Sequence, residues 1–245
     1  MEQGQPFLYV AAYQQAKTIA KFTLEGDLLW QAFAPMQSGH YAKGEASAPT
    51  KTWGRDRFMP TNFAFLPDGD FLLADGYGAY YIHRYDSDGN WQSCFGGPGD
   101  GKGTFNLPHG IWVDTRGESP QIVVTDRAHH TLQVFSLEGK YSRTIEGFGL
   151  PANVDTHGDL MLVPELVARV SILDKDFQTV ATLGDDRERI LGDRDSNGSF
   201  TIRADASQWE HGKFVHPHDA CFDSAGNVFV AEWVSTGRIT KLTRV

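Results

Sequence analysis

Two stretches carry most of the side chains that could do chemistry. "LPHGIWV" (107–113) and "KFVHPHDACFD" (213–223) each place a histidine directly after a proline, at the entrance to an apolar run. The first is His109. The second is His218, followed by Asp219 and preceded two residues earlier by His216. Imidazole nitrogens ligate zinc and carry protons. A carboxylate at a strand mouth suits a hard cation such as calcium, with backbone carbonyls beside it. A plainer reading stands next to both: polar residues at a strand entrance, bonded to nearby backbone. Residues two apart on an extended strand face one side. His218 is preferred because it matches the place of His109, and His216 is expected behind it or in solvent.

Two further groups lie elsewhere. "ADGYG" (74–78) puts Tyr77 between glycines just after an acid, and "TDRAH" (125–129) puts Arg127 just after another. Brought together, a phenol and a guanidinium supply a proton acceptor and a stabiliser of developing negative charge. Taken singly, the tyrosine could cap a core and the arginine could pair with a neighbouring acid.

What would position these residues is a repeat. "MPTNFAF" (59–65), "LPHGIWV" (107–113), "LPANVDT" (150–156) and "HPHDACF" (216–222) share a proline in second place and then run apolar. A second apolar strand follows each and ends on an acid: Asp75, Asp126, Glu165 and Glu232. A third strand follows, and in most units a fourth. The hairpin turns between third and fourth, "LEGD", "SDGN" and "LEGK", carry the glycine a tight turn wants. The N-terminal strands fit the same scheme out of phase.

Periods of roughly 40–50 residues with four strands each describe an all-β protein, a β-propeller of four-stranded blades. About eighteen strands in five units are expected in one domain over 1–245, with polar inserts at 36–58 and 184–214. The first unit lacks its inner strand and the last its outer strand. The ring is therefore expected to be incomplete at its N-terminal side, with open sheet edges that invite self-association. Third-position residues of the repeat, Thr61, His109, Ala152 and His218, should converge on the central tunnel.

Composition narrows the functional classes. A net charge of −9 argues against a nucleic-acid or anionic-membrane surface. No run of 18 apolar residues is present, and the start, "MEQGQPFLYVAAY", lacks the basic and apolar regions of a signal peptide. Cys94 and Cys221 fall on different units and are expected as two reduced thiols rather than one bridge. "GGPGDGKG" (96–103) lacks the Ser or Thr of a phosphate loop and reads as a connector. "DRDSNG" (193–198) spaces Asp193, Asp195 and Asn197 like the first half of a calcium loop. Its twelfth position is Ala204 where a glutamate belongs, so a solvated turn competes. His129, His130, His157 and His211 read as loop or surface residues.

Taken in order, "ADGYG", "LPHGIWVD", "TDRAHHTLQVF" and "HPHDACFD" resemble the NHL-repeat propellers, and within them the peptidyl-α-hydroxyglycine α-amidating lyases, over roughly residues 7–245. That resemblance implies a six-bladed propeller, secreted or periplasmic, with zinc held by histidines and calcium near the axis. It implies His109 and His218 as zinc ligands, Asp219 as a calcium ligand, Tyr77 as general base and Arg127 as charge stabiliser. The implied reaction cleaves the N–C bond of a C-terminal α-hydroxyglycine to a peptide amide and glyoxylate. The family's third zinc histidine and its carboxylate-binding arginine have no counterpart here, and Gly78 stands where the family has cysteine. His40, in the first insert, is the candidate substitute ligand. The alternative is a non-catalytic propeller that binds a peptide, protein or small ligand at the tunnel.

Overall fold

The computed structural model describes residues 5–47, 52–196 and 198–245. Among them are eighteen strands in five antiparallel sheets, the five blades of a β-propeller. Blade 1 holds β1 (Leu8–Ala12), β2 (Thr18–Phe22) and β3 (Leu28–Ala32). Blade 2 holds β4 (Asn62–Phe65), β5 (Phe71–Ala74), β6 (Tyr81–Tyr85) and β7 (Trp91–Gly96). Blade 3 holds β8 (Pro108–Asp114), β9 (Gln121–Asp126), β10 (Thr131–Phe135) and β11 (Tyr141–Ile145). Blade 4 holds β12 (Asp155–His157), β13 (Leu160–Glu165), β14 (Arg169–Leu173) and β15 (Thr179–Leu183). Blade 5 holds β16 (Pro217–Phe222), β17 (Val228–Glu232) and β18 (Arg238–Leu242). Blades 2, 3 and 4 are four-stranded. Among the described residues blade 1 has no inner strand and blade 5 no outer one, as the repeat predicts.

The apolar alternation of each strand is spent between blades. One buried cluster lies between each neighbouring pair: Ile19, Phe71 and Tyr85 between blades 1 and 2, and Ile82, Ile111 and Phe135 between 2 and 3. Val123, Leu132 and Met161 fill the space between 3 and 4, and Val170, Phe214 and Val230 that between 4 and 5. Burying large side chains of this kind contributes roughly 1.5–3 kcal/mol each. Both inserts are anchored by apolar residues despite their polar composition. Tyr41 and Phe58 join the first cluster, while α1 (Arg187–Gly192) and the turns after it bury Ile190 and Ile202.

The acids that end the second strands are structural. Each accepts a backbone N–H from the loop that enters the inner strand of its own blade. Met59 N–H bonds to Asp75 at 2.6 Å, Asn106 to Asp126 at 2.8 Å, Gly149 to Glu165 at 2.5 Å and Val215 to Glu232 at 2.7 Å. Just beyond each acid, the chain bonds back to the carbonyl of the residue preceding the repeat's proline. Tyr77 N–H reaches Met59 O, Arg127 reaches Leu107 O, Leu166 reaches Leu150 O and Trp233 reaches His216 O. These paired bonds fix four equivalent side chains beside the tunnel: Tyr77, Arg127, Leu166 and Trp233. Lys17 and Glu45 form a further buried ion pair at 2.7 Å that ties blade 1 to the first insert.

Candidate active site

Tyr77, His109, Arg127 and His218 come from blades 2, 3, 3 and 5, and the fold brings all four together. The Tyr77 hydroxyl lies 3.1 Å from His109 Nε2, and Arg127 Nη1 donates to the same oxygen at 3.3 Å. The rings of His109 and His218 meet edge to face with centroids 4.9 Å apart. Gly76 makes the approach of the Tyr77 turn feasible, because a Cβ there would stand 2.1 Å from Pro108 O.

Hydrogen-bond direction follows from the acceptors. His109 Nδ1 lies 2.8 Å from the carbonyl of Ala152, which can only accept, so Nδ1 carries the proton and Nε2 presents its lone pair. Tyr77 therefore donates to His109 and accepts from Arg127. Burial, then the charges of Arg127 and His218, hold His109 well below the usual imidazole range. Burial, then Arg127, lowers His218 to about 4. Both imidazoles are neutral near pH 7. Burial raises the Tyr77 phenol above its ordinary value, with Arg127 opposing the rise. Arg127 is only 5% exposed, its Nη2 has no hydrogen-bond partner among the described residues, and burial lowers it to about 10. It pairs with no acid among the described residues, contrary to the plainer reading of an arginine after an acid. Tyr13 packs on the Tyr77 ring at 4.7 Å and Trp53 approaches it at 5.9 Å, forming an aromatic rim.

A second layer lies at the fourth position of the repeat. Asn62 Nδ2 donates to Asn153 Oδ1 at 2.8 Å, and Asn153 Nδ2 donates to Asp219 Oδ1 at 2.8 Å, linking blades 2, 4 and 5 across the axis. The remaining member of that position is Gly110. A Cβ there would fall 2.6 Å from Asn153 Cα, so the missing side chain is what lets Asn153 cross. Aligning the fourth letters of the repeat, N, G, N and D, would have exposed this belt.

Other expected residues sit differently. His216 is buried rather than solvated. Its Nδ1 bonds to Leu166 O at 2.5 Å, its ring packs on Phe200, and Nε2 has no partner among the described residues. A register shift between Pro217 and Asp219 breaks the two-residue alternation that would have aligned it with His218. His40 stacks on Tyr81 at 3.7 Å and meets Cys94 Sγ at 3.5 Å, on the outer side of blade 2, so it does not join the axial histidines. Asp193 accepts from Thr201 and Ile202 N–H, and Asp195 from Ser199 N–H, all within their own loop. Asn197 lies outside the described residues. His129 is not a plain surface residue, since it bridges Asp126 and Asp100. His157 lies in β12 against Phe222. Both cysteines are free thiols.

The donor set does not fit the metals that the resemblance implies. No group of three or more His, Cys, Asp or Glu side chains is placed to hold an ion among the described residues. Two imidazoles without a third donor fall short of a three-ligand zinc centre. Asp219 is engaged by Asn153 and by Ala220 N–H, and it belongs to no group of three or more His, Cys, Asp or Glu side chains among the described residues.

The sheets and the axial cluster define a β-propeller with a polar site at its tunnel. No family model matches the sequence. Solved structures share the fold. Virginiamycin B lyase from Staphylococcus aureus is 12% identical, with a TM-score of 0.58, over 99% of this chain and 68% of that one. A streptogramin B lyase is 12% identical, TM-score 0.56, over 96% of this chain and 78% of its own. A protein of unknown function from Bacteroides caccae is 14% identical, TM-score 0.55, over 98% and 79%. The chain is thus a propeller with lyases among its structural neighbours.

Proposed function

We propose that the protein is a lyase whose reaction is carried by the Tyr77–His109–Arg127 cluster, and that its substrate is a peptide ending in α-hydroxyglycine. The observation that carries the reading is the Tyr77 hydroxyl held between a neutral imidazole acceptor and an unpaired guanidinium. Tyr77 takes the proton of the substrate's α-hydroxyl as its own proton moves to His109 Nε2, so that no free phenolate builds up, and Arg127 stabilises the negative charge that develops during this relay. As the C=O bond forms, the C–N bond breaks with its electron pair going to nitrogen, and His109 returns its proton there. Hydroxyglycine leaves as glyoxylate, the peptide leaves as its amide, and both side chains regain their starting states. The buried positive charge of Arg127 also suits the carboxylate of such a substrate. The lyases among the structural neighbours support the reaction class.

The test is glyoxylate release from a hydroxyglycine-ended peptide. Folded wild type should release it. Tyr77→Phe and His109→Gln should each lose on the order of 10²–10⁴-fold, the usual span of general acid–base catalysis. A Tyr77→Phe variant as active as wild type removes Tyr77 from the chemistry. Saturable binding of the peptide with no glyoxylate formed makes the protein a binding module instead.

A further inference from the structure

The third residue of the third strand has one task in blades 3 and 4. Gln133 in β10 donates to Asp126 Oδ2 at 2.8 Å, and Ser171 in β14 donates to Glu165 Oε1 at 2.5 Å. Each touches the acid that ends the second strand of its own blade. His83 holds that place in β6. Among the described residues its ring nitrogens bond to Tyr41 and Trp91, and Tyr41, from the first insert, stands between it and Asp75. The Tyr41 hydroxyl lies 2.6 Å from His83 Nε2 and 2.8 Å from Asp75 Oδ2. On the far side of the imidazole, Trp91 Nε1 donates to His83 Nδ1 at 3.1 Å. Asp75 and His83 are fully buried and Tyr41 is nearly so.

The directions in this chain are fixed. Burial, then the charge of His40, lowers His83 to about 3, so its ring is neutral. Indole nitrogen only donates, so His83 Nδ1 accepts and the ring proton sits on Nε2. Nε2–H donates to the Tyr41 oxygen, and the Tyr41 O–H donates to the carboxylate. Asp75 in turn holds the loop of Tyr77 at both ends. Its Oδ1 accepts from Met59 N–H at 2.6 Å, and Met59 O accepts from Tyr77 N–H at 3.2 Å. Its Oδ2 accepts from Ala79 N–H at 2.7 Å, two residues past Tyr77. The first insert reaches the same loop again, because Arg55 Nη2 donates to Tyr77 O at 3.3 Å.

We infer that Tyr41 is a positioning residue for Tyr77, acting through Asp75, with His83 and Trp91 holding Tyr41 in place. The inference rests on the reading of Tyr77 as the phenol that relays a proton. That hydroxyl must meet His109 Nε2 and Arg127 Nη1 together, so a small turn of its loop spoils the relay. The acids of blades 3, 4 and 5 are bonded by basic side chains, His129, Arg169 and Arg238. Blade 2 uses a phenol, which supplies the bond and adds no charge beside the relay.

Two deletions of a single hydroxyl test this. Tyr41→Phe takes one donor from Asp75, and Ser171→Ala takes one from Glu165. Both are compared with wild type at pH 8, where the Asp75 carboxyl, lifted to about 6 by burial, is ionised. In glyoxylate release, kcat of Tyr41→Phe should fall about 10- to 100-fold, the range for a reacting group displaced from a distance. Its KM should not change, because no group facing the substrate is lost. Ser171→Ala should keep the wild-type kcat. The NMR signal of His109 Nε2, which accepts from Tyr77, should move in Tyr41→Phe and stay in Ser171→Ala. Adding His83→Leu to Tyr41→Phe removes the buried donor that the first change strands, so stability should return toward wild type. The rate and the His109 signal should remain those of Tyr41→Phe. An equal loss of kcat in Ser171→Ala, recovery of kcat together with stability in the double variant, or an unmoved His109 signal overturns the inference. A wild type that releases no glyoxylate ends the lyase reading alone, and the His109 signal then decides whether Tyr41 positions Tyr77.

Discussion

The acids that end the second strands and the cluster on the axis lie at the same end of the propeller, a few residues apart in sequence. The fold treats them in opposite ways. Glu165 accepts from Gly149 N–H, from Ser171 and from two nitrogens of Arg169, and Glu232 is matched by Val215 N–H and Arg238. Asp126 receives Asn106 N–H, His129 and Gln133. Arg127, next to Asp126, is as buried as these acids and has no acidic partner among the described residues, with one nitrogen wholly unpaired. Its counterparts in blades 4 and 5 are Leu166 and Trp233. What recurs around the ring is scaffolding, satisfied within each blade. Function is to be sought where the repeat is broken, because a buried polar group left unpaired is costly unless a ligand completes it.

Removal of one member from each set separates them most widely. Glu165→Ala strands a buried guanidinium and a backbone N–H, and should destabilise by roughly 3–5 kcal/mol in urea unfolding, the range for a broken buried pair. Arg127→Met removes a charge that nothing balances and should be neutral or stabilising by about 1 kcal/mol while abolishing activity. Equal destabilisation by the two changes would erase the distinction.

Within the acid ring, Asp75 is the exception. It accepts from Met59 N–H, Ala79 N–H and the Tyr41 hydroxyl, and among the described residues no Lys, Arg or His bonds to it. Burial lifts its carboxyl from 3.8 to about 6 despite those bonds. A raised folded-state value means that its contribution is present in full below 3.8 and is lost as pH rises through about 6. The loss is about 3 kcal/mol at most. The difference in unfolding free energy between wild type and Asp75→Asn, measured from pH 3.5 to 7, should carry that slope. A flat difference would show that the carboxylate is better solvated than its burial implies.

Gly110→Ala probes the belt beneath the site. The new Cβ would press on Asn153 and on the Ala152 carbonyl that holds His109. Overpacking of this kind costs about 1–3 kcal/mol, and catalysis should fall more steeply than stability because the imidazole loses its anchor. Unchanged turnover would separate the two layers.

Much of this was legible in the sequence. Five units, the strand count, the missing inner and outer strands, and the convergence of Tyr77, His109, Arg127 and His218 all follow from one aligned repeat, since equivalent residues share a radial position. The remainder depended on contacts that no local pattern reports. Asn62 and Asn153, 91 residues apart, share the fourth place of the repeat, but their bond also needs the room that Gly110 leaves. His216 and His218 part company at a register shift that alternation cannot foresee. His40 is drawn away from the axis by Tyr81 and Cys94, and the loop of Asp193 and Asp195 satisfies itself with its own backbone.

The smallest effect tests whether an acid of the ring can reach past its own blade. His129 donates one nitrogen to Asp126 at 2.6 Å and the other to Asp100 at 3.1 Å, which ties the connector at 96–103 to the end of β9. Both partners accept only, so both ring nitrogens must be protonated, and the imidazole is charged when the bridge is complete. Burial pulls its pKa down, but the bonds to Asp126 and Asp100 outweigh it, and the net shift is upward from 6.5. The contribution is therefore present below 6.5 and fades as pH rises through the higher folded-state value. Because the imidazole is partly exposed and Asp100 lies in solvent, the consequence should be local release of the connector and not unfolding. NMR titration of His129 should give a value above 6.5 that drops in Asp100→Asn, with faster amide exchange in residues 97–103 above that pH. If the titration is unmoved by Asp100→Asn, Asp126 alone holds the imidazole, and each acid serves only its own blade.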